Sequence, residues 1–288
     1  MAFELKQEGF RLKDILIVVG IPDATYHYHV KRFGKEDSET ELKDLIKEQF
    51  YLFKERYGYK RITTEIQKLG HSINHKKVYR LMKELGLKCV KFMRKSRKYN
   101  SYKGKVGKVA KNRINRRFNT PIPLQKLVTD ITEFKCAGDA KLYLNPIFDL
   151  YNGEVISFGI MKRPTLDLVM EPLEEAIDIM KSRATFRTTI HSDQGWHYQH
   201  NKWVKTLKKN KVFQSMSRKA TCADNASIEN FFGILKQEMY YGENLISYDE
   251  LKRRIEEYIH WYNNERSKKK LTGLSPVEYR TQSSQSAA

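Results

Sequence analysis

The sequence predicts an α/β domain with a mixed five-stranded sheet, set behind an all-α region. Three observations carry this prediction. Helical periodicity dominates up to about residue 90, apolar alternation with tight-turn signals takes over beyond about residue 121, and a strongly basic stretch separates the two. The implied divisions are two helical segments at 1–36 and 40–90, a basic linker at 91–120, and the α/β domain at 121–283.

In the first segment Leu12, Ile15 and Val19 mark one helical face. Gly20-Ile21-Pro22-Asp23 interrupts it, and residues 24–33 form a second helix, giving a helix-turn-helix arrangement. A second set covers 42–57, 62–69 and 76–85, with Gly58, Gly70 and Gly86 just past each helix, where a C-terminal cap is expected. In its last helix Val78, Leu81, Met82 and Leu85 fall at i, i+3, i+4 and i+7, and Lys76, Lys77 and Arg80 lie off that apolar stripe. A small helical bundle with solvated charges satisfies the same pattern. A DNA-reading unit fits better, because the basic residues sit on the final helix of each set, where a recognition helix enters the major groove.

Beyond the linker, strands are predicted at 127–134, 142–150 and 155–160, with turns at 137–139 and 151–153. Asn152-Gly153 is a strong hairpin signal. An amphipathic helix at 166–180 follows, then a strand at 188–191, a helical stretch at 199–207 and a fifth strand at 212–216. Helices at 225–239 and 248–262 complete the region. This is the element order of the ribonuclease-H-like fold.

Charge narrows the partner. Lys and Arg number 54 against 34 Asp and Glu, a net charge of +20, so the chain's field attracts polyanions. A membrane is disfavoured: the aliphatic stretch at 15–19 is far below the roughly 20 residues of a span. Glu4, Lys6 and Glu8 stand where a signal peptide needs an apolar run. Cys89, Cys136 and Cys222 lie far apart, which argues for a reducing compartment without disulfides or a zinc finger. The expectation is a cytoplasmic, DNA-associated protein. Residues 91–118 hold 12 Lys and Arg and no acid, with Tyr99 and Tyr102 interleaved. Such a run is usually a solvated tether, but between two folded regions phosphate tracking is favoured, with Arg94, Lys95, Arg97 and Lys98 as its contacts.

Three acids carry the chemistry. Asp130 sits inside Val128-Thr129-Asp130-Ile131-Thr132, a strand where a buried carboxylate is costly unless it is paired or holds a cation. Asp193 follows a strand at its carboxyl end, where α/β sheets place their sites. Glu229 lies on the helix whose apolar face is Ile228, Phe231, Phe232 and Leu235. Asn225, Glu229, Gly233 and Lys236 form a separate stripe, setting Glu229 toward a cation and Lys236 toward phosphate. Alone, Glu229 reads as a solvated glutamate. With 35 residues between it and Asp193, and Asp130 upstream, the acids converge to hold two Mg²⁺ ions, which prefer oxygen ligands. Two such ions clamp the attacking and leaving oxygens of a phosphoryl transfer.

The blocks Val-Thr-Asp-Ile-Thr-Glu-Phe at Asp130, His-Ser-Asp-Gln-Gly-Trp at Asp193 and Asp-Asn-Ala-Ser-Ile-Glu-Asn-Phe-Phe at Glu229 resemble the catalytic blocks of the integrase and transposase superfamily with the D,D-35-E triad. Gln214-Ser-Met-Ser-Arg-Lys, Trp261-Tyr-Asn-Asn-Glu-Arg and Leu274-Ser-Pro further resemble the second-frame (OrfB) product of the insertion-sequence-three family. The resemblance implies Mg²⁺-dependent strand cleavage and strand transfer, with Mn²⁺ as a substitute. It also implies a homo-oligomer that assembles two terminal repeats and target DNA, and a first-frame (OrfA) partner or fusion. The short N-terminus, opening almost directly into a helix-turn-helix, fits a second-frame product. Ala220-Thr221 stands where the family more often has Gly-Asn, which implies a differently shaped loop before Glu229. A viral-type integrase is disfavoured by the missing His-His-Cys-Cys zinc site. A catalytically silent DNA-binding regulator that kept the fold is the alternative.

Other polar residues carry less. Asp149 is either a fourth active-site acid or, as favoured, a structural group at the sheet end. His191 and Gln194 flank Asp193 and are placed to position DNA or water. His197 and His200 read as surface residues rather than ligands, since Mg²⁺ disfavours imidazole. Trp261, Tyr262, Asn263 and Asn264 read as packing and a helix end.

Overall fold

The computed structural model describes residues 1–31, 39–89, 109–219 and 221–285. Helices α1 (Ala2–Gln7), α2 (Leu12–Val19) and α3 (Asp23–Val30) form the first unit, with Gly20 left-handed at the predicted turn. Next, α4 (Thr40–Leu52), α5 (Tyr59–Lys68) and α6 (His75–Glu84) close around Ile46, Phe50, Ile62, Ile66, Val78, Leu81 and Met82. The helix expected to reach residue 57 ends at Leu52. Lys54 and Glu55 take left-handed backbone there, and Phe53 stacks on Tyr57 at 4.2 Å, turning both rings into the core. Gly58 therefore does not cap α4; it is extended, at φ −85°, and precedes α5. Gly70 and Gly86 are left-handed after α5 and α6, as expected.

Residues 109–120 correct the linker boundary. They pack on the α/β domain, with Ile114 buried in its core, so the basic segment joins the sheet before residue 121. Arg94, Lys95, Arg97 and Lys98 lie outside the described residues, as does Ala220.

The sheet contains β1 (Lys126–Thr129), β2 (Thr132–Lys135), β3 (Lys141–Asp149), β4 (Val155–Met161), β5 (Thr189–Ser192) and β6 (Phe213–Met216). Six strands reduce to the predicted five. β1 and β2 pair with β3 in one register, Val128 opposite Phe148 and Thr132 opposite Leu144, so they are one strand broken at Asp130-Ile131. That register sets Asp130 opposite Pro146, which has no N–H to give a ladder bond, and the pairing opens there. β4 lies beyond β3, antiparallel to it, across a hairpin in which Gly153 takes φ 74°. β5 and β6 extend the other side in parallel.

Helices cover both faces of the sheet. These are α7 (Asp167–Arg183), α8 (Trp196–Gln199), α9 (Asn201–Lys209), α10 (Ala226–Met239), α11 (Tyr248–Asn264) and α12 (Pro276–Gln285). Strand side chains alternate between faces. Val128 and Phe148 join Ile228, Phe231, Leu235 and Ile255 of α10 and α11, whereas Leu127 and Ile147 join Val169, Leu173 and Trp203 of α7 and α9. The same alternation turns Asp130 toward the α10 side.

Asp149 is fully buried at the opposite end of β1 from Asp130. Its carboxylate accepts from the Leu124 N–H at 2.8 Å and the Tyr151 N–H at 3.0 Å, which holds the hairpin to the chain entering β1. Its role is structural, as favoured. Tyr262 is buried and Asn263 bonds the backbone of Val155 through both amide atoms, so this helix end is packing too. Among the described residues no helix is long and apolar enough to cross a membrane.

Candidate active site

β1 and β5 run parallel with Lys126 beside Thr189, Leu127 beside Ile190 and Val128 beside His191. Continued past the strand ends, that register sets Asp130 beside Asp193. Neighbouring strands lie about 4.8 Å apart, so two carboxylates leave the carboxyl ends of adjacent strands side by side, on the face covered by α10. The break opposite Pro146 leaves Asp130 half-buried and free of the ladder, and its carboxylate accepts the next N–H, that of Ile131, at 2.8 Å. Asp193 accepts the Gly195 N–H at 2.8 Å.

The two acids disturb each other. Burial pushes the Asp130 carboxyl well above the usual range, and the Asp193 charge adds to the shift, with a smaller push from Glu229. Burial raises Asp193 and Glu229 as well. Glu229 lies on the exposed first turn of α10, and Gly233 on the same stripe faces open space. Among the described residues no three His, Cys, Asp or Glu side chains stand close enough together to hold one metal ion. The strand register brings Asp130 and Asp193 side by side, and Glu229 lies on the first turn of the helix that covers that face. The stripe reading set Lys236 toward phosphate. Instead its ammonium bonds Thr132 Oγ1 at 2.6 Å and the Glu133 carbonyl at 2.9 Å, bracing α10 on β2.

A second layer fixes these parts. Asp224, at the end of the turn before α10, is fully buried, and its carboxylate accepts from Asn112, Arg116 and Arg218. Its carbonyl accepts from His191 Nε2 at 3.0 Å, while His191 Nδ1 meets Ser215 Oγ at 2.8 Å. A carbonyl only accepts, so Nε2 carries the proton, and burial holds the ring neutral. His191 thus ties β5, β6 and α10 together and is too deep to touch DNA. On the other side of the sheet Asn145 donates to Thr129 Oγ1, the Asp130 carbonyl and Tyr198 Oη. His197 is buried rather than at the surface, bonded to the Pro164 carbonyl at 2.7 Å. His200 is exposed and caps α9.

With this geometry, the comparison with known proteins is specific. Residues 120–222 and 229–283 match families described as Integrase core domain, and residues 36–96 match an HTH-like domain. A putative transposase InsK for insertion sequence element IS150 of Escherichia coli (strain K12) is 41% identical over 97% of this chain and 96% of its own length. The chain belongs to the insertion-sequence-three family of transposases. An uncharacterized transposase-like protein of Haemophilus influenzae is 46% identical over 73% of this chain and 94% of its own length. Transposase InsF for insertion sequence IS3A of Escherichia coli (strain K12) is 28% identical over 96% of both chains. Among solved structures, the HTLV-2 integrase catalytic core domain in complex with magnesium (trimeric form) aligns with a TM-score of 0.43 at 17% identity. It covers 55% of this chain and 97% of that chain. On the family matches over residues 120–222 and 229–283, the α/β domain of this transposase is an integrase-type core, and the chain belongs with the polynucleotidyl transferases.

The helical DNA-contact candidates of the transposase are all exposed on α6. Lys77 and Arg80 both pair with Glu39, at 3.0 and 2.8 Å, and Arg80 also pairs with Glu84 at 2.7 Å. DNA contact by these two exchanges existing ion pairs for phosphate.

Sequence reasoning missed Asp224, Tyr198 and Asn145, and read Asn225 only as a member of the Glu229 stripe. Asp224-Asn225 reads as the start of a helix, yet neither side chain caps α10. Their visible signal was an acid and an amide placed before a helix with no cap bond to make. Gly195 was also passed over: a Cβ there would meet Asp193 Oδ1 at 2.9 Å. Gly195→Ala is expected to displace that carboxylate and lower strand cleavage about 10²-fold, with the unfolding midpoint nearly unchanged, as calorimetry beside a cleavage assay would register.

Proposed function

We propose that this transposase cleaves the ends of its insertion sequence and transfers the strand to target DNA, using Asp130, Asp193 and Glu229 as a D,D-35-E triad with divalent ions, Mg²⁺ in the cell. The observation that carries this reading is the Asp130–Asp193 pair at the ends of adjacent parallel strands. Burial raises both carboxyls, and the Asp193 charge adds to the shift at Asp130, a cost that a cation would relieve. The donor set fits the ion, since carboxylate oxygens are what Mg²⁺ prefers. Asp130 and Asp193 would hold it, with Glu229 brought in from the exposed turn of α10. Bound there, the ion would supply electrophilic stabilisation at the phosphate and lower the pKa of an attacking hydroxyl.

The chain's own residues do the rest. The His191–Asp224 bond fixes the α10 start relative to β5, and the Lys236 brace holds the helix against β2. Terminal repeats are bound through the helix-turn-helix segments, with Lys76, Lys77 and Arg80 on phosphates or bases, and the basic stretch holds DNA to the core. The active assembly is a homo-oligomer on DNA in the cytoplasm, with a first-frame protein as partner or fusion. The alternative is a catalytically silent DNA-binding regulator that kept the fold.

A metal-specificity switch separates the two readings. Asp193→Cys should be inactive in Mg²⁺ and regain cleavage in Mn²⁺, because a thiolate suits the softer ion. Full activity in Mg²⁺, or no rescue in a folded, DNA-binding variant, would count against Asp193 as a ligand.

A further inference from the structure

Asn225 holds the N-cap position of α10, where asparagine ordinarily accepts from the first free N–H groups of a helix. It makes no such bond. Its side chain is 3% exposed, and neither Nδ2 nor Oδ1 has a hydrogen-bond partner. An unsatisfied buried polar group costs about 1–3 kcal/mol, so an amide kept there without a partner calls for one that binds later. The amide stands at the start of α10, the helix that covers the sheet face on which Asp130 and Asp193 leave the ends of β1 and β5. Nor is the amide free to turn away. Asp224, the preceding residue, is pinned through both its carboxylate and its carbonyl.

We propose that Asn225 is a positioning residue of the cation site, its Nδ2 orienting the Asp130 carboxylate and its Oδ1 accepting from water around the bound divalent ion. This rests on the reading that Asp130 and Asp193 hold that ion. It assigns a partner to both orphaned atoms. It also explains why an asparagine at a helix start leaves the helix uncapped.

Leucine is the informative replacement, because it fills nearly the same volume and has no polar atom to leave unsatisfied. The full-length protein is titrated with Mn²⁺, binding is read from water-proton relaxation, and unfolding is followed separately in EDTA. Asn225→Leu should bind Mn²⁺ about tenfold more weakly and unfold in EDTA at the same temperature as wild type or higher. Asn225→Asp, which keeps an oxygen at the same place, should bind at least as tightly as wild type. Wild-type Mn²⁺ affinity in Asn225→Leu would overturn the proposal. So would a lower unfolding midpoint in Asn225→Leu together with weakened binding in Asn225→Asp, which would make the residue a structural one. Asp130→Asn distinguishes the two levels of the account. If it loses Mn²⁺ while Asn225→Leu keeps it, only the role of Asn225 fails; if Asp130→Asn binds normally, the cation-site reading fails and takes this proposal with it.

Discussion

Glu238→Ala is expected to destabilise the protein by about 3–5 kcal/mol, the usual cost of leaving a buried charge without its partner. Glu238 and Arg266 are both buried and joined by two hydrogen bonds, of 2.6 and 2.8 Å. Tyr258 donates to the same carboxylate at 2.8 Å, and Arg61 reaches it from α5 at 3.5 Å. Burial alone would raise the Glu238 carboxyl, but the Arg266 guanidinium overrides it and holds the group ionised. This cluster joins α10 to α11 and links both to the three-helix unit, whose Tyr57 hydroxyl also accepts from the Ser267 N–H at 2.9 Å. Its loss should loosen the HTH-like helices from the integrase-type core as well as lower stability. Chemical denaturation checks the magnitude. A double replacement of Glu238 and Arg266 by methionine should recover most of it, since removing both charges leaves nothing buried and unpaired.

Asp224→Ala should have the second largest effect, divided between stability and chemistry. Arg116 and Arg218 have about half of their side chains exposed and can turn to water when the carboxylate is gone, so the stability loss is smaller, about 2–3 kcal/mol. The catalytic loss is greater, because the turn that sets Asn225 and Glu229 loses its anchor. Cleavage is expected to fall about 10²-fold, while DNA affinity holds or rises at low salt because an acid has been removed. Retained cleavage would show that α10 is positioned by its apolar face alone. The same anchor has a signature in pH. The guanidiniums hold the Asp224 carboxyl far below its ordinary value of 3.8, so its contribution is present above that value and is lost as pH falls beneath it. His191 acts earlier: burial lowers its pKa from 6.5, so the unfolded chain takes the proton first and stability declines as pH drops below 6.5.

The parts of this fold written in local pattern were legible in the sequence. Asn152-Gly153 marked the hairpin, and strand alternation puts Val128, Asp130 and Thr132 on one face, which the structure covers with α10. What stayed hidden depends on partners distant in sequence. His191 was placed beside Asp193 to position DNA or water, but its environment is made by Ser215 and Asp224, contributed by other elements. Lys236 sat on the expected stripe, yet a long side chain on a helix beside a sheet edge bends back to the nearest acceptors, here Thr132 and the Glu133 carbonyl. The linker boundary was misplaced because cations dominate its composition, while the residues that anchor it, among them Ile114 and Asn112, carry no pattern of their own.

The most direct test of the triad is cleavage of the element's own terminal repeat in Mg²⁺ by the wild type and by Glu229→Gln, with binding measured on the same DNA. Glu229 is exposed and makes no core contact that the substitution would disturb. The account predicts that Glu229→Gln binds the repeat like wild type and cleaves it at least about 10²-fold more slowly. Equal cleavage by both proteins would contradict it and remove Glu229 from the site.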